Sequence, residues 1–173
     1  MRTLLLLLGL AGALEAQTTV IIVRHAERAD TTRDPGLSPA GEARAAALAE
    51  ALRNAGVTHV VTTQYRRTQL TAAPLAQARN ITPAIIQAAR DVPAHAREIA
   101  GHVRALPEGS TVLVVGHSNT INQVVQMLGG PVIASLCDTD YDTMFTLVLK
   151  PNWAPVIRAR FGAPDNDPPE CAR

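Results

Sequence analysis

The chain lacks any marked excess of charge of one sign. Its 173 residues carry 16 basic and 15 acidic side chains, a formal net charge of +1. Proteins that bind nucleic acid or anionic membranes usually present a strongly basic surface, so this balance gives no reason to expect either partner. Lysine is nearly absent, because Lys150 is its single example, and the arginines are scattered along the chain. We interpret this skew as a coding bias.

Long linkers and internal repeats are also absent, and the amino-terminal apolar run is short. Leu4–Leu10 follows Arg2 and is too short to cross a bilayer as a stable helix. The small residues after it are typical of a secretory signal peptide, predicted here for residues 1–16. Cleavage after Ala13 or directly before Gln17 fits the pattern, and amino-terminal sequencing of the mature protein distinguishes the two. We therefore expect an exported protein, periplasmic or extracellular.

Cysteine is scarce, with one residue at Cys137 and one at Cys171. In an exported protein these two permit a disulfide, which would tie the proline-rich tail, residues 163–173, to the body of the chain. Closing a loop of this length would stabilise the fold by roughly 3 to 4 kcal/mol. Two free thiols are the alternative, and the residues alone leave both open.

The body of the chain, residues 17–162, alternates short β-branched runs with helical patterns. This alternation predicts one three-layer α/β/α domain with a mostly parallel central sheet and an antiparallel edge strand. The first predicted strand begins at Thr19. The later predicted strands cover Val57–Thr62, Ala84–Ile86, Thr111–Val115, Met144–Leu149 and Val156–Arg160. The first predicted helix begins at Pro39, directly after the N-cap Ser38. The later predicted helices cover Arg67–Ala78, Val92–Leu106 and Thr120–Leu128.

Two of these strands lead directly into side chains that can do chemistry. The run ending at Val23 is followed by Arg24 and His25, and the run ending at Val115 is followed by Gly116 and His117. Parallel sheets place their reacting groups just past the carboxyl ends of the strands. The two histidines are therefore predicted to share one pocket.

This pair of strand ends resembles the histidine phosphatase superfamily, which has the phosphoglycerate mutase-like fold. Arg24-His25-Ala26 is similar to the Arg-His-Gly motif of the family, with alanine in place of glycine. Three further segments match in the family's order: Leu37–Gly41 at the entry to the first helix, Thr63–Ala72 around the second arginine, and Gly116–Thr120 at the second histidine.

The resemblance implies a phosphatase that works through a phosphohistidine intermediate on His25. Arg24, Arg67 and, if protonated, His117 are implied to bind the phosphoryl group. Arginine suits this role because its planar fork takes two oxygens at once. The family's second arginine falls on Arg67, so Arg66 is expected to be solvated or a residue at the rim of the site. No metal and no other cofactor is expected, because the arginines supply the positive charge. The expected partner is a small phosphorylated substrate, without nucleic acid and, after signal-peptide removal, without a membrane; the oligomeric state stays open.

Three further assignments each have a structural alternative. Glu27 is a candidate substrate-binding residue or the partner of Arg28 in an ion pair. Ser118 is a candidate phosphate ligand or a helix cap. The family usually takes the leaving-group proton from an acidic residue between the second arginine and the second histidine, which makes Asp91 the candidate general acid. Asp91 is equally a good N-cap, and the acidic segment Asp138–Asp142 is the second choice.

Other functional classes compete with the phosphatase. An exported phosphate-binding or interaction domain would keep the pocket without turnover, and a phosphoglycerate mutase-type phosphotransferase is less expected for so short an exported chain. His95, Glu98 and His102 share a predicted helical face, where they would either bind a metal or simply be solvated.

Overall fold

The structure is a computed structural model that describes residues 16–165. Nearly all of the predicted signal peptide lies outside the described residues, so export stays a prediction. Cys137 is disulfide-bonded, whereas Cys171 lies outside the described residues and its pairing with Cys137 stays a prediction. Within residues 16–165, none of the helices has the length and apolar character that a membrane crossing requires.

Six strands form one sheet, and helices flank it. The strands are β1 Thr19–Arg24, β2 His59–Thr62, β3 Ala84–Ile85, β4 Thr111–Gly116, β5 Thr143–Val148 and β6 Val156–Arg160. The helices are α1 Pro39–Ala51, α2 Arg66–Arg79, α3 Val92–Arg104 and α4 Ile121–Met127. The strand order is β3-β2-β4-β1-β5-β6. Strands β1 to β4 are mutually parallel, whereas β5 pairs antiparallel with β1 and β6 pairs antiparallel with β5. Of these six strands β5 alone runs in the opposite direction, which confirms the predicted mostly parallel sheet with antiparallel pairing at one edge.

Side chains alternate between the two faces of the central strands and bury both faces. In β1, Ile21 and Val23 pack with α1 and α2, whereas Val20 and Ile22 pack with α3 and α4. Each of these four side chains is almost fully buried. Continuous apolar strands of this kind are expected where helices cover both sides of a parallel sheet. The predicted three-layer α/β/α architecture is thereby confirmed.

The start of α1 is fixed against the loop that follows β1. Ser38 is the N-cap of α1, and its hydroxyl accepts a hydrogen bond from the Gly41 backbone N–H at 3.1 Å. The Ser38 N–H donates to the Glu27 carbonyl at 3.0 Å. A Cβ atom on Gly41 would lie 2.3 Å from that same carbonyl oxygen, so only glycine permits this close approach. The helix start thus holds the chain two residues beyond His25.

The close approach at Gly41 predicts a stability cost for any side chain there. Gly41→Ala should lower the free energy of unfolding by about 1 to 3 kcal/mol, the usual cost of overpacking, because the new methyl group meets backbone that cannot rotate away. Chemical denaturation measures this directly. Gly101→Ala is the matched control: its Cβ would meet nothing within 4 Å, so it should stabilise α3 by about 0.5 to 1 kcal/mol. Equal effects of the two substitutions would contradict the prediction.

Candidate active site

The pairing of β1 with β4 brings the two motif histidines together. The register places Arg24 beside Gly116, and the His25 backbone N–H continues the ladder by donating to the Gly116 carbonyl at 2.9 Å. His25 and His117 therefore leave the sheet at the same level. Their ring centroids lie 5.4 Å apart, which confirms that the two strand ends share one site.

His25 is held in one tautomer. Its Nδ1 lies 2.8 Å from the Ala26 carbonyl oxygen, and because a carbonyl only accepts, Nδ1 must carry the proton. Nε2 is then the unprotonated nitrogen. Burial lowers the pKa of His25 to about 3, so the ring is neutral at physiological pH and Nε2 keeps its lone pair.

A threonine on α2 fixes the backbone around His25. The Ala26 N–H donates to Thr71 Oγ1 at 2.8 Å, and the same hydroxyl donates to the Arg67 carbonyl at 2.7 Å. One side chain thus links the residue after the nucleophile candidate to the turn that carries Arg67. The relative position of His25 and Arg67 is set by these two hydrogen bonds.

His117 lies in a chain of hydrogen bonds that runs in one direction. Arg67 Nη2 donates to His117 Nδ1 at 3.4 Å, His117 Nε2 donates to Thr63 Oγ1 at 3.1 Å, and Thr63 Oγ1 donates to Thr68 Oγ1 at 3.0 Å. The Thr68 hydroxyl ends the chain by donating a hydrogen bond to the Tyr65 carbonyl at 2.8 Å. Only a neutral ring with its proton on Nε2 satisfies this order.

Burial, reinforced by nearby positive groups, also lowers the pKa of His117 to about 3. The condition set for His117, that it binds the phosphoryl group if protonated, is therefore not met in the free site. Since Nδ1 accepts from Arg67 and Nε2 donates to Thr63, His117 instead orients the second arginine.

Arg24 and Arg67 each keep one buried donor nitrogen without a partner. The Nε atoms of both side chains are buried and have no hydrogen-bond partner among the described residues. Arg24 uses Nη1 on the Cys137 carbonyl at 2.8 Å and the Asp140 carbonyl at 3.2 Å, so part of its fork holds the loop before β5. Arg67 stacks on Tyr65, with its guanidinium carbon 4.3 Å from the ring centroid. Buried unpartnered donors are costly and point to an anionic ligand.

These groups line one cavity of about 340 Å³. It is bordered by the predicted residues Arg24, His25, Arg67, His117 and Ser118. Sequence reasoning did not assign Arg28, Tyr65, Arg90 and His95 to this cavity, yet all four line it. A signal existed for two of them: Arg28 lies in the loop directly after the first motif, and Tyr65 precedes the arginine pair of the second.

Glu27 does not line this cavity, which corrects its assignment as a substrate-binding residue. Its carboxylate bonds Arg44 Nε at 2.9 Å and Nη2 at 2.8 Å. Arg44 also bonds Asp165 at 2.8 Å, and the Asp165 carboxylate accepts from the backbone N–H groups of Tyr141 and Asp142. An ion pair was the predicted alternative, but its partner is Arg44 rather than Arg28.

Asp91 does not line the cavity either. It is the N-cap of α3, and its carboxylate accepts from the Ala94 N–H at 3.0 Å. The capping alternative is confirmed, and within residues 16–165 Asp91 makes no contact that supports a role as general acid. Asp138 is the carboxylate among the described lining residues; its side chain is 98% exposed and lies 3.8 Å from Arg24.

The structure also shows where Ser118, Arg66 and the two histidines of α3 lie relative to the cavity. Ser118 lines the cavity, whereas Thr120 occupies the N-cap position of α4 without a side-chain capping bond. Arg66 is exposed and does not border the cavity, as expected. His95 is buried beside the cavity while His102 borders a different one, so the helical-face metal site is not formed.

The acidic residues near β5 form an ion-pair network. Among the described residues one group of potential metal ligands clusters, namely Asp140, Asp142 and Asp165. Each of these carboxylates already contacts an arginine; the partners are Arg158, Arg160 and Arg44 respectively. The cluster therefore fits a structural role in holding the chain after β6 against the loop before β5.

Comparison with known proteins supports the fold and the motifs together. The sequence model of the histidine phosphatase superfamily (branch 1) matches residues 20–92. Over these residues, which include the first motif and the second arginine, the chain is similar to that superfamily. No curated protein matches the chain significantly in sequence.

The fold is shared with several solved structures. A mycobacterial glucosyl-3-phosphoglycerate phosphatase is 17% identical, with 84% of this chain and 99% of that chain covered at a TM-score of 0.63. Phosphoserine phosphatase from Entamoeba histolytica is 14% identical, with 85% and 98% covered at 0.60. YhfR from Bacillus stearothermophilus is 18% identical, with 80% and 95% covered at 0.64. At these identities the likeness establishes the fold alone.

The two depressed histidine pKa values predict acid sensitivity of the fold. Between pH 6.5 and about 3, His25 and His117 are protonated in the unfolded chain but neutral in the folded protein. The free energy of unfolding therefore decreases as the pH falls. The limiting slope is about 1.4 kcal/mol per pH unit for each histidine, and above pH 6.5 the effect vanishes. Denaturation of the wild type and His117→Gln between pH 7.5 and 4.5 should show a shallower fall in the variant. Parallel curves would contradict neutral burial of His117.

Proposed function

We propose that this protein is a phosphomonoester hydrolase that acts through a phosphohistidine on His25. The observation that carries the proposal is that one cavity is lined by a neutral His25 ring, unprotonated at Nε2, and by the side chains of Arg24 and Arg67. A nucleophile and its charge-neutralising groups are thus present before substrate arrives, which is the arrangement that phosphoryl transfer requires.

The first step is nucleophilic displacement at phosphorus. The Nε2 lone pair of His25 forms the N–P bond while the bond from phosphorus to the leaving oxygen breaks, and that oxygen takes a proton from solvent water. Arg24 and Arg67 stabilise the charge that spreads over the three remaining phosphoryl oxygens. The hydrogen bond from Nδ1–H to the Ala26 carbonyl stabilises the positive ring that forms.

The second step returns the enzyme to its starting state. Water attacks phosphorus, the N–P bond breaks, and its electron pair returns to Nε2, so inorganic phosphate leaves and His25 is neutral again. His117 positions Arg67 through Nδ1 throughout. The arginines supply the positive charge that a metal ion supplies in other phosphatases, so we propose that turnover is metal-independent. Export to the periplasm or beyond remains part of the proposal and rests on the amino-terminal sequence.

The covalent intermediate gives the direct test. Purified protein is mixed with an aryl phosphate in EDTA-containing buffer and quenched within the first turnover. It should then carry covalently bound phosphate that is labile in acid and stable in base. His25→Ala should trap none, because it has no ring nitrogen to attack phosphorus. His59→Ala is the control, since His59 lies on β2 outside this cavity, and it should trap phosphate like the wild type.

The same measurement separates the competing functional classes. A non-catalytic phosphate-binding domain would bind phosphate yet trap no covalent phosphate and turn over no aryl phosphate. Normal turnover by His25→Ala would end the nucleophile assignment. Loss of activity in EDTA, restored by added metal, would contradict metal independence.

The capping role of Asp91 predicts a null effect on leaving-group protonation. A general acid matters most for poor leaving groups, and removing one slows alkyl phosphates by about 10²-fold or more while sparing p-nitrophenyl phosphate. Asp91→Asn should leave both rates nearly unchanged, because Asn caps a helix about as well as Asp. Asp138→Asn is the comparison, since Asp138 does line the cavity. A selective loss of alkyl phosphate turnover in Asp91→Asn would restore Asp91 as the acid.

A further inference from the structure

The cavity carries two arginines beyond the pair assigned to the phosphoryl group. Arg28 follows β1 and Arg90 precedes α3, and both are exposed residues that line the cavity. Within residues 16–165, neither side chain is paired with a carboxylate. Arg28 lies close enough to act electrostatically on His25, Arg24 and Arg67. The extra positive charge is therefore at the mouth of the same site.

The positive charge of the cavity lining exceeds the negative charge of one phosphate group. Four guanidinium groups face one lining carboxylate, that of Asp138, which leaves a surplus of about three positive charges when the two motif histidines are neutral. A phosphate dianion cancels two of these charges. Arginines gathered around a cavity repel one another, so a site of this composition is complementary to a ligand that brings more negative charge than a phosphomonoester alone.

Both mouth arginines sit on loops that are tied to the body. The Arg28 loop pairs with the residues before α1 through the bridge to Leu37. The Arg90 loop is held by Gln64, whose side chain accepts from the Ala88 N–H at 2.7 Å and donates to the Ala88 carbonyl at 3.5 Å. Gln64 lies directly before Tyr65 in the second motif, so this loop is fixed relative to Arg67. Loops that are anchored in this way lose less conformational freedom on binding than mobile loops do.

We propose that the substrate is a small phosphomonoester with a second anionic group, a carboxylate or a further phosphate, and that Arg28 and Arg90 bind this group. The proposal rests on the proposed function for the phosphoryl half of the site. A cavity of about 340 Å³ is at the small end of ligand sites, which favours a metabolite-sized substrate. Arg28 and Arg90 then determine specificity, while His25, Arg24 and Arg67 act on the phosphoryl group.

The test uses non-hydrolysable phosphonates, so that it does not depend on turnover. Calorimetry gives the Kd of phenylphosphonate, of 3-carboxyphenylphosphonate and of benzene-1,3-diphosphonate with the purified wild type. At least one doubly anionic probe should bind about tenfold more tightly than phenylphosphonate, and the two probes distinguish a carboxylate from a second phosphate. Arg28→Gln and Arg90→Gln should each reduce that preference by about threefold to tenfold, the scale of one partly solvated charged hydrogen bond.

Arg97→Gln is the matched control, because Arg97 is an exposed arginine on α3 that does not line the cavity. It should retain the wild-type preference. Equal affinity of the wild type for all three probes would overturn the proposal, as would an equal loss for all probes in the Arg28 and Arg90 variants. Either result leaves the phosphohistidine experiment unaffected, so the failure of this inference is distinguishable from failure of the proposed function.

Discussion

The parallel pairing of β1 with β4 is the constraint on which the site depends. Its register places Arg24 opposite Gly116, and the hydrogen bond from His25 to Gly116 extends the ladder by one residue beyond the strands. Two segments about ninety residues apart in the chain thereby deliver a histidine each to one point. A one-residue slip in this register would turn the side chains of β1 to the opposite face of the sheet and separate the pair.

Burial at that point decides the chemistry as much as geometry does. His25 and His117 are removed from water and surrounded by guanidinium groups, so both stay neutral where a solvated histidine would begin to protonate. The protein thus keeps the proposed nucleophile, His25, with an available lone pair in a strongly positive cavity. The cost is the acid sensitivity of the fold, because the same two groups favour the unfolded chain once protons are abundant.

The fold and the centre of the site could be predicted from local patterns, and the rim could not. The apolar runs before Arg24-His25 and Gly116-His117 are visible in the sequence as strands. The general rule that parallel sheets carry their reacting groups at the carboxyl ends of the strands then places both histidines in one site. Asp91 illustrates the limit: one carboxylate before a helix suits a cap and an acid equally, and only its position relative to the cavity decides between them. His95 was misjudged for a related reason, since its burial depends on how α3 packs.

Long-range ion pairs were the least predictable feature. Glu27 was expected to bind substrate or Arg28, yet it pairs with Arg44 from α1, which in turn reaches Asp165 after the last strand. The spacing in the chain carries no signal for such contacts, because the three residues meet only after the sheet and α1 have packed. The sequence likewise offered no charge pattern that would set Arg28 and Arg90 apart from the other scattered arginines.

The buried Arg44 has a consequence for how sequences of this kind can change over time. Its side chain is 5% exposed and pairs with Glu27 on one side and Asp165 on the other, so loss of Arg44 would leave two carboxylates without a counter-charge in a poorly solvated place. Substitution at these three positions is therefore expected to be correlated rather than independent. Glu27 lies two residues after His25, so contacts with residues that follow the last strand restrict which substitutions the first motif can accept.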